Sequence, residues 1–209
     1  MSEPHATADD LRQLVPGLLH YRVHDERIDF PSEAFVVGTA TGVVLVDPLP
    51  LDDASFARLG TVEAIVLGAP SHQRSAWRYR RLTGALVHAP RDAEGLDEPP
   101  EVFYGDGDRL PGGLRAIHSP GPSDTHHVLY LAQGSGVLLV GDLMVRDTDG
   151  TARFLADDHM TDRARARQSA WRLLEYRFDI LCFGHGEPIV RGGRQAFEDL
   201  LKADAGREG

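Results

Sequence analysis

The chain has 209 residues, 42% hydrophobic and 26% charged, the composition of an ordinary globular protein with enough length to bury a sizeable core. Its 22 Lys and Arg against 32 Asp and Glu leave a formal charge of -10, which argues against nucleic acid or an anionic membrane as partner, since phosphate binding needs clustered cations. The single Cys182 excludes an internal disulfide framework, and no apolar run approaches the roughly 20 residues of a membrane span.

Residues 1–16, polar and acidic with no signal-peptide pattern, read as a flexible N-terminal lead-in, and 17–209 as one domain. Cytoplasmic residence is the expectation that follows. Gly17 to Val23 predicts the first strand; Glu33 to Thr39 and Gly42 to Val46 predict a hairpin with apolar, β-branched content. Leu51 to Leu59 predicts a short helix with Asp52 and Asp53 in its first turn, where the helix dipole favours them. Val62 to Leu67 reads as a buried strand, Ser75 to Leu82 as a helix stopping near Gly84, and Ala85 to Ala89 as strand-like.

Pro90 to Gly113, rich in Pro, Gly and Asp, reads as a loop region around a weak strand at Glu101 to Tyr104. Leu114 to His118, His127 to Leu131 and Val137 to Val140 are predicted strands. Thr161 or Asp162 caps a helix running to about Tyr176, Asp179 to Phe183 is the last strand, and Gly193 to Lys202 the last helix. The arginines of 74–81 and 163–172 lie at helical spacing among apolar residues and read as solvated helix faces. Periodicity alone implies a mixed α and β domain.

Chemistry is expected where buried strands open into loops, because such places hold functional groups rigidly. Gly141-Asp142 follows the run Gly136-Val-Leu-Leu-Val140, and Phe183-Gly-His-Gly-Glu-Pro188 follows Phe178-Asp-Ile-Leu-Cys182. Val62-Glu-Ala-Ile-Val-Leu67 opens into Gly68-Ala-Pro-Ser-His-Gln-Arg-Ser-Ala-Trp77, ahead of a helix.

On these frames the chain resembles the metallo-β-lactamase superfamily, over roughly Tyr21 to Leu200 and including Gly42-Val-Val-Leu-Val-Asp-Pro48, which looks like that family's early strand ending in Asp. The resemblance implies an α+β fold, an αββα sandwich of two mixed β-sheets flanked by helices. Family members carry a Thr-His-x-His-x-Asp-His tract, a Pro-Gly-His loop, a Gly-Asp and a late Gly-His-Gly. Laid on this sequence, the Thr falls on Gly68, the tract's three His on Ala69, Ser71 and Arg74, its Asp on Gln73, and the Pro-Gly-His on Pro120-Gly121-Pro122. Asp142 and His185 keep the family's ligand types.

A catalytic zinc takes about three protein ligands and a water, and a two-metal site about twice as many. Ala69 and Pro122 can donate nothing, Ser71 and Gln73 are weak neutral donors, and Arg74 is a permanent cation. The usual dinuclear zinc centre is therefore not expected. The cofactor expectation is none or one divalent metal (zinc, iron or manganese), held by some of His72, Asp142 and His185, with Ser71, Arg74 and His126 as pocket residues and Asp142 the catalytic candidate. His72 reads either as a ligand from a re-registered loop or as a histidine packed at the start of the next helix. His126 reads either as a substitute for the histidine lost at Pro122 or as an ordinary loop-to-strand residue.

Two functions follow from the resemblance. One is a hydrolase-like protein acting on a small ester, thioester or lactone with at most one metal. The other is a non-catalytic ligand-binding or protein-interaction module, in which Arg74 beside Asp142 replaces the ion's charge. A small-molecule ligand and a homo-oligomer are both compatible with the sequence.

Overall fold

The β-branched and aromatic runs of the first hundred residues become one seven-stranded sheet in strict chain order: β1 (Arg12–Val15), β2 (Leu18–Asp25), β3 (Phe30–Gly38), β4 (Val43–Val46), β5 (Val62–Val66), β6 (Leu86–Pro90) and β7 (Val102–Tyr104). The structure, a computed structural model, describes residues 3–206. Strands β1 to β4 pair antiparallel through short turns, and β4 to β7 pair parallel. Parallel neighbours need crossover connections, and two of these contain helices. Helix α1 (Asp53–Ala57) is capped by Asp52, whose carboxylate accepts the Ser55 N–H at 2.6 Å, and α2 (Ala76–Thr83) stops at Gly84, which takes the left-handed conformation at φ 75°. Tyr21, Val36, Leu45, Ile65, Trp77 and Tyr79 lie in the core of this unit, which spans residues 3–105 and 109–113.

A second unit, residues 106–108 and 114–206, holds a four-stranded mixed sheet. Strands β8 (Leu114–His118), β9 (His127–Leu131) and β10 (Val137–Leu139) run antiparallel. Past β10 lies a two-stranded hairpin absent from the sequence prediction, β11 (Met144–Arg146) with β12 (Ala152–Phe154). Helix α3 (Arg163–Leu173) starts at Asp162, whose carboxylate accepts the Arg165 N–H, and strand β13 (Ile180–Cys182) then pairs parallel with β10. Helix α4 (Gly193–Ala205) closes the unit. Leu138, Leu143, Phe154, Ala170, Leu181 and Phe197 share its core. Among the described residues no helix is long and apolar enough to cross a membrane.

The segment expected as a lead-in carries β1, and its earlier residues are laid along the first unit. Ala8 exchanges two 2.9 Å backbone hydrogen bonds with Pro50 and Asp52, and the Ser55 hydroxyl donates to the Asp9 carbonyl. The Glu3 carboxylate accepts the Ser75 hydroxyl at 2.8 Å and lies 2.8 Å from Arg78 Nε, so it reaches the first turn of α2. Removing residues 1–9 is expected to lower stability by about 2 kcal/mol, roughly 1 kcal/mol for each of the two backbone bonds. Urea unfolding of the shortened and full chains measures this, and equal midpoints would show that the segment adds nothing.

Candidate functional site

In the first unit, Asp47 follows β4 directly and adopts φ 49°, a left-handed conformation in which a non-glycine residue is strained. Its two carboxylate oxygens are divided between two tasks. Oδ1 accepts the Gly68 N–H at 2.8 Å, and Oδ2 lies 2.8 Å from Nδ1 of His72. Because β4 and β5 are parallel neighbours with Val46 opposite Val66, Asp47 comes out of the sheet beside the loop that begins after Leu67. Tyr104 donates its hydroxyl to the Leu67 carbonyl; burial, with the negative charge of Asp47 adding to it, pushes the Tyr104 phenol well above its ordinary value, so it stays a donor. One end of the loop is thereby anchored to the sheet.

Along that loop the residues standing where family ligands are expected have other tasks. His72 is buried in a single turn of 3-10 helix at Pro70–His72. An imidazole held at Nδ1 by a carboxylate can present Nε2 to a metal, the arrangement by which outer carboxylates orient ligating histidines. Gln73, also buried, binds across to the following loop: its amide nitrogen donates to the Gly95 carbonyl, and its amide oxygen accepts from Trp77 Nε1 at 2.7 Å and from the Asp97 N–H at 2.6 Å. Arg74 has φ 29° and is 4% exposed; its Nη1 donates to the carbonyls of Glu33 (3.2 Å) and Asp47 (3.4 Å). Burial would push the Asp25 carboxyl up, but hydrogen bonds from Arg27 and the charges of Arg27 and Arg74 hold it below its ordinary value. Ser71 is exposed, and Ala69 is buried.

The second unit brings Asp142 and His185 together, and strand register is the reason. Leu139 of β10 lies opposite Cys182 of β13, and each site residue is three positions further along its own strand. Backbone bonds from Val140 N–H to the Cys182 carbonyl (2.8 Å) and from Gly184 N–H to the Gly141 carbonyl (3.0 Å) continue the pairing past the strands. Asp142 Oδ1 then lies 3.4 Å from Nε2 of His185, both side chains being mostly buried. His126 is fully buried beside them: Nδ1 lies 3.0 Å from the Ser119 carbonyl, and Nε2 accepts the Asp142 N–H at 3.2 Å. His127 binds the Thr125 carbonyl through Nδ1, and burial pushes its pKa below the ordinary histidine value.

The Pro120-Gly121-Pro122 loop, in which the family carries a histidine, is committed to α3. The Gly121 carbonyl accepts from the N–H groups of Thr161 and Asp162, and Ser169 Oγ donates to the Pro120 carbonyl at 2.7 Å. Arg146 ties β11 to the His185 loop. Its N–H donates to the His185 carbonyl at 2.9 Å, and its Nη1 donates to the Glu187 carbonyl at 3.1 Å. Sequence reasoning missed this link, the partnership of Asp47 with His72 and the two hydrogen bonds of the His126 ring. Only for Asp47 was there a signal, a carboxylate at a strand end before Pro48.

The chain belongs to the metallo-β-lactamase superfamily: the family model of that description matches residues 15–204. Its α+β class, with mixed sheets and flanking helices, is that of the solved structures it resembles. The chain is similar to the metallo-β-lactamase FIM-1 from Pseudomonas aeruginosa in its mono-zinc form, at 16% identity, covering 98% of this chain and 99% of that one, with a TM-score of 0.73. A metallo-β-lactamase from Pontibacter korlensis gives 16% identity, 92% and 98% coverage and a TM-score of 0.72. A metallo-β-lactamase family protein from Thermus thermophilus gives 18% identity, 92% and 81% coverage and a TM-score of 0.67. No curated protein matches the chain.

Gly186, next to His185, has φ 102°, and a Cβ there would lie 1.9 Å from the Arg146 carbonyl oxygen. Gly186→Ala is therefore expected to cost about 3 kcal/mol, combining backbone strain with displacement of β11. Gly192→Ala, left-handed but with nothing within 4 Å of its Cβ, is expected to cost about 1 kcal/mol. Denaturant unfolding of the two variants measures the difference; equal losses would mean that the close approach does not matter.

Proposed function

We propose that this protein is a hydrolase-like member of the superfamily that works with at most one divalent metal, held by His72, Asp142 and His185, on a small ester, thioester or lactone. The observation that carries the reading is the Asp142–His185 pair, a carboxylate and an imidazole 3.4 Å apart at the ends of adjacent parallel strands. Each of the three residues offers one ligand atom, a ring nitrogen or a carboxylate oxygen. Two imidazoles and one carboxylate suit zinc, iron or manganese with positions left open for water or substrate. The orientation of His72 by Asp47 supports its ligand role. A second ion lacks donors, because Ala69, Arg74 and Pro122 stand at the family's other histidine positions.

Bound there, an ion would lower the pKa of a water and polarise a carbonyl. Asp142 would orient the nucleophile through its carboxylate, and Asp47 would hold the His72 tautomer through Nδ1. Cytoplasmic residence belongs to the same reading. The alternative is a non-catalytic ligand-binding or interaction module, and the observation favouring it is the buried Arg74, a permanent cation on the loop that carries His72.

Metal analysis of protein purified without an affinity tag or added metal separates the two. About one equivalent per chain, lost in His185→Ala, is the expected result, with hydrolysis of short-chain esters, thioesters or lactones that stops on chelation. A content near zero supports the non-catalytic module, and two tightly bound ions would refute the proposed site.

A further inference from the structure

We propose that His126 is a positioning residue, which fixes the backbone of Asp142 and is itself barred from ligating metal by the two hydrogen bonds that hold it. The fold places it on the residue just before β9, with no exposed surface. The Ser119 carbonyl, 3.0 Å from Nδ1, can only accept, so Nδ1 must carry the proton. The Asp142 N–H, 3.2 Å from Nε2, can only donate, so Nε2 must present its lone pair. One tautomer satisfies both partners, the neutral Nδ1–H form, and in it neither nitrogen is left for an ion. This removes the ligand role suggested by the residue's place after the Pro-Gly loop.

The chemical consequence lies at Asp142. Gly141–Leu143 is a single turn of 3-10 helix, whose opening N–H groups lack partners within the turn. His126 supplies an acceptor for the one belonging to Asp142, on the residue whose carboxylate reaches His185. The imidazole is well anchored for this task, because its own carbonyl accepts the Ser119 N–H at 2.9 Å and Ser119 Oγ donates to the Ile117 carbonyl at 2.9 Å. Ser119 and His126 thus close the 119–126 loop on itself and tie it to the Gly141–Leu143 turn. The loop that lost its family histidine at Pro122 contributes instead by holding a retained ligand candidate in place.

The role toward a metal rests on the reading under Proposed function, whereas the tautomer does not. Imidazole 15N chemical shifts at neutral pH, assigned by comparison with His126→Gln, are expected to show His126 as Nδ1–H; an Nε2–H form would overturn the proposal whatever the metal content. Titration with Co(II) alone gives the second measurement. His126→Leu is expected to bind about 10- to 100-fold more weakly with an altered visible spectrum, the size of effect usual for outer partners of metal ligands. His126→Gln, whose amide keeps one donor and one acceptor, should recover most of the affinity and the spectrum. Equal Co(II) affinity in wild type and a folded His126→Leu would overturn the positioning role. Failure of the wild type to bind Co(II) would instead sink the single-metal reading and with it the role toward the ion. Should His126→Leu not fold, the tautomer and His126→Gln still decide.

Discussion

In-register parallel pairing of neighbouring strands is the constraint on which the candidate residues of each unit depend. Parallel strands deliver their carboxyl ends side by side, and the residues leaving those ends must meet or clash. In the first unit the pairing of β4 with β5 sets Asp47 beside the loop carrying His72; in the second, β10 with β13 sets Asp142 beside His185. Ligand sites in open α/β sheets lie outside carboxyl ends for this reason. A register slip of one residue in either pair would turn alternate side chains to the wrong face and separate the polar groups.

The ends that meet are costly in isolation, and their stabilisation is shared. Asp47 and Arg74 both take left-handed backbone conformations, worth about 1–3 kcal/mol of strain each, and both are largely buried. A buried charge without partners would cost several kcal/mol more. Asp47 is answered by the Gly68 N–H and His72, and Arg74 donates to two backbone carbonyls, one of them that of Asp47 itself. The same residues that make the loop chemically suggestive therefore also hold it in place, so stability and ligand presentation cannot be varied independently there.

Departure from the family pattern has been accommodated by reassigning positions within the same backbone. Gln73, where the family carries an aspartate, spans to Gly95, Asp97 and Trp77 as a buried bridge. The loop around Pro122 serves the start of α3 through its carbonyls. Arg146 and Gly186 pack the β11–β12 hairpin against the His185 loop. Each replacement satisfies buried hydrogen-bonding groups, which a core must do whether or not a metal is held.

Sequence alone determined the order of the elements other than β1, β11 and β12, the family and the frames holding Asp142 and His185, because strand periodicity, turn residues and motif spacing are local properties of the chain. Strands β8 and β9 coincide with their predicted bounds, and Asp162 caps α3 as its residue type implies. Tertiary structure decided the rest. The β11–β12 hairpin has too few residues for a period to register, and the docking of Ala8 on Leu51 joins segments whose local pattern shows no mutual preference. The sequence also left His126 open between ligand and ordinary loop residue, since an imidazole's role depends on which acceptor and which donor reach its two nitrogens. Those partners, Ser119 and Asp142, lie 7 and 16 residues away along the chain, and only the folded sheet brings both to the ring.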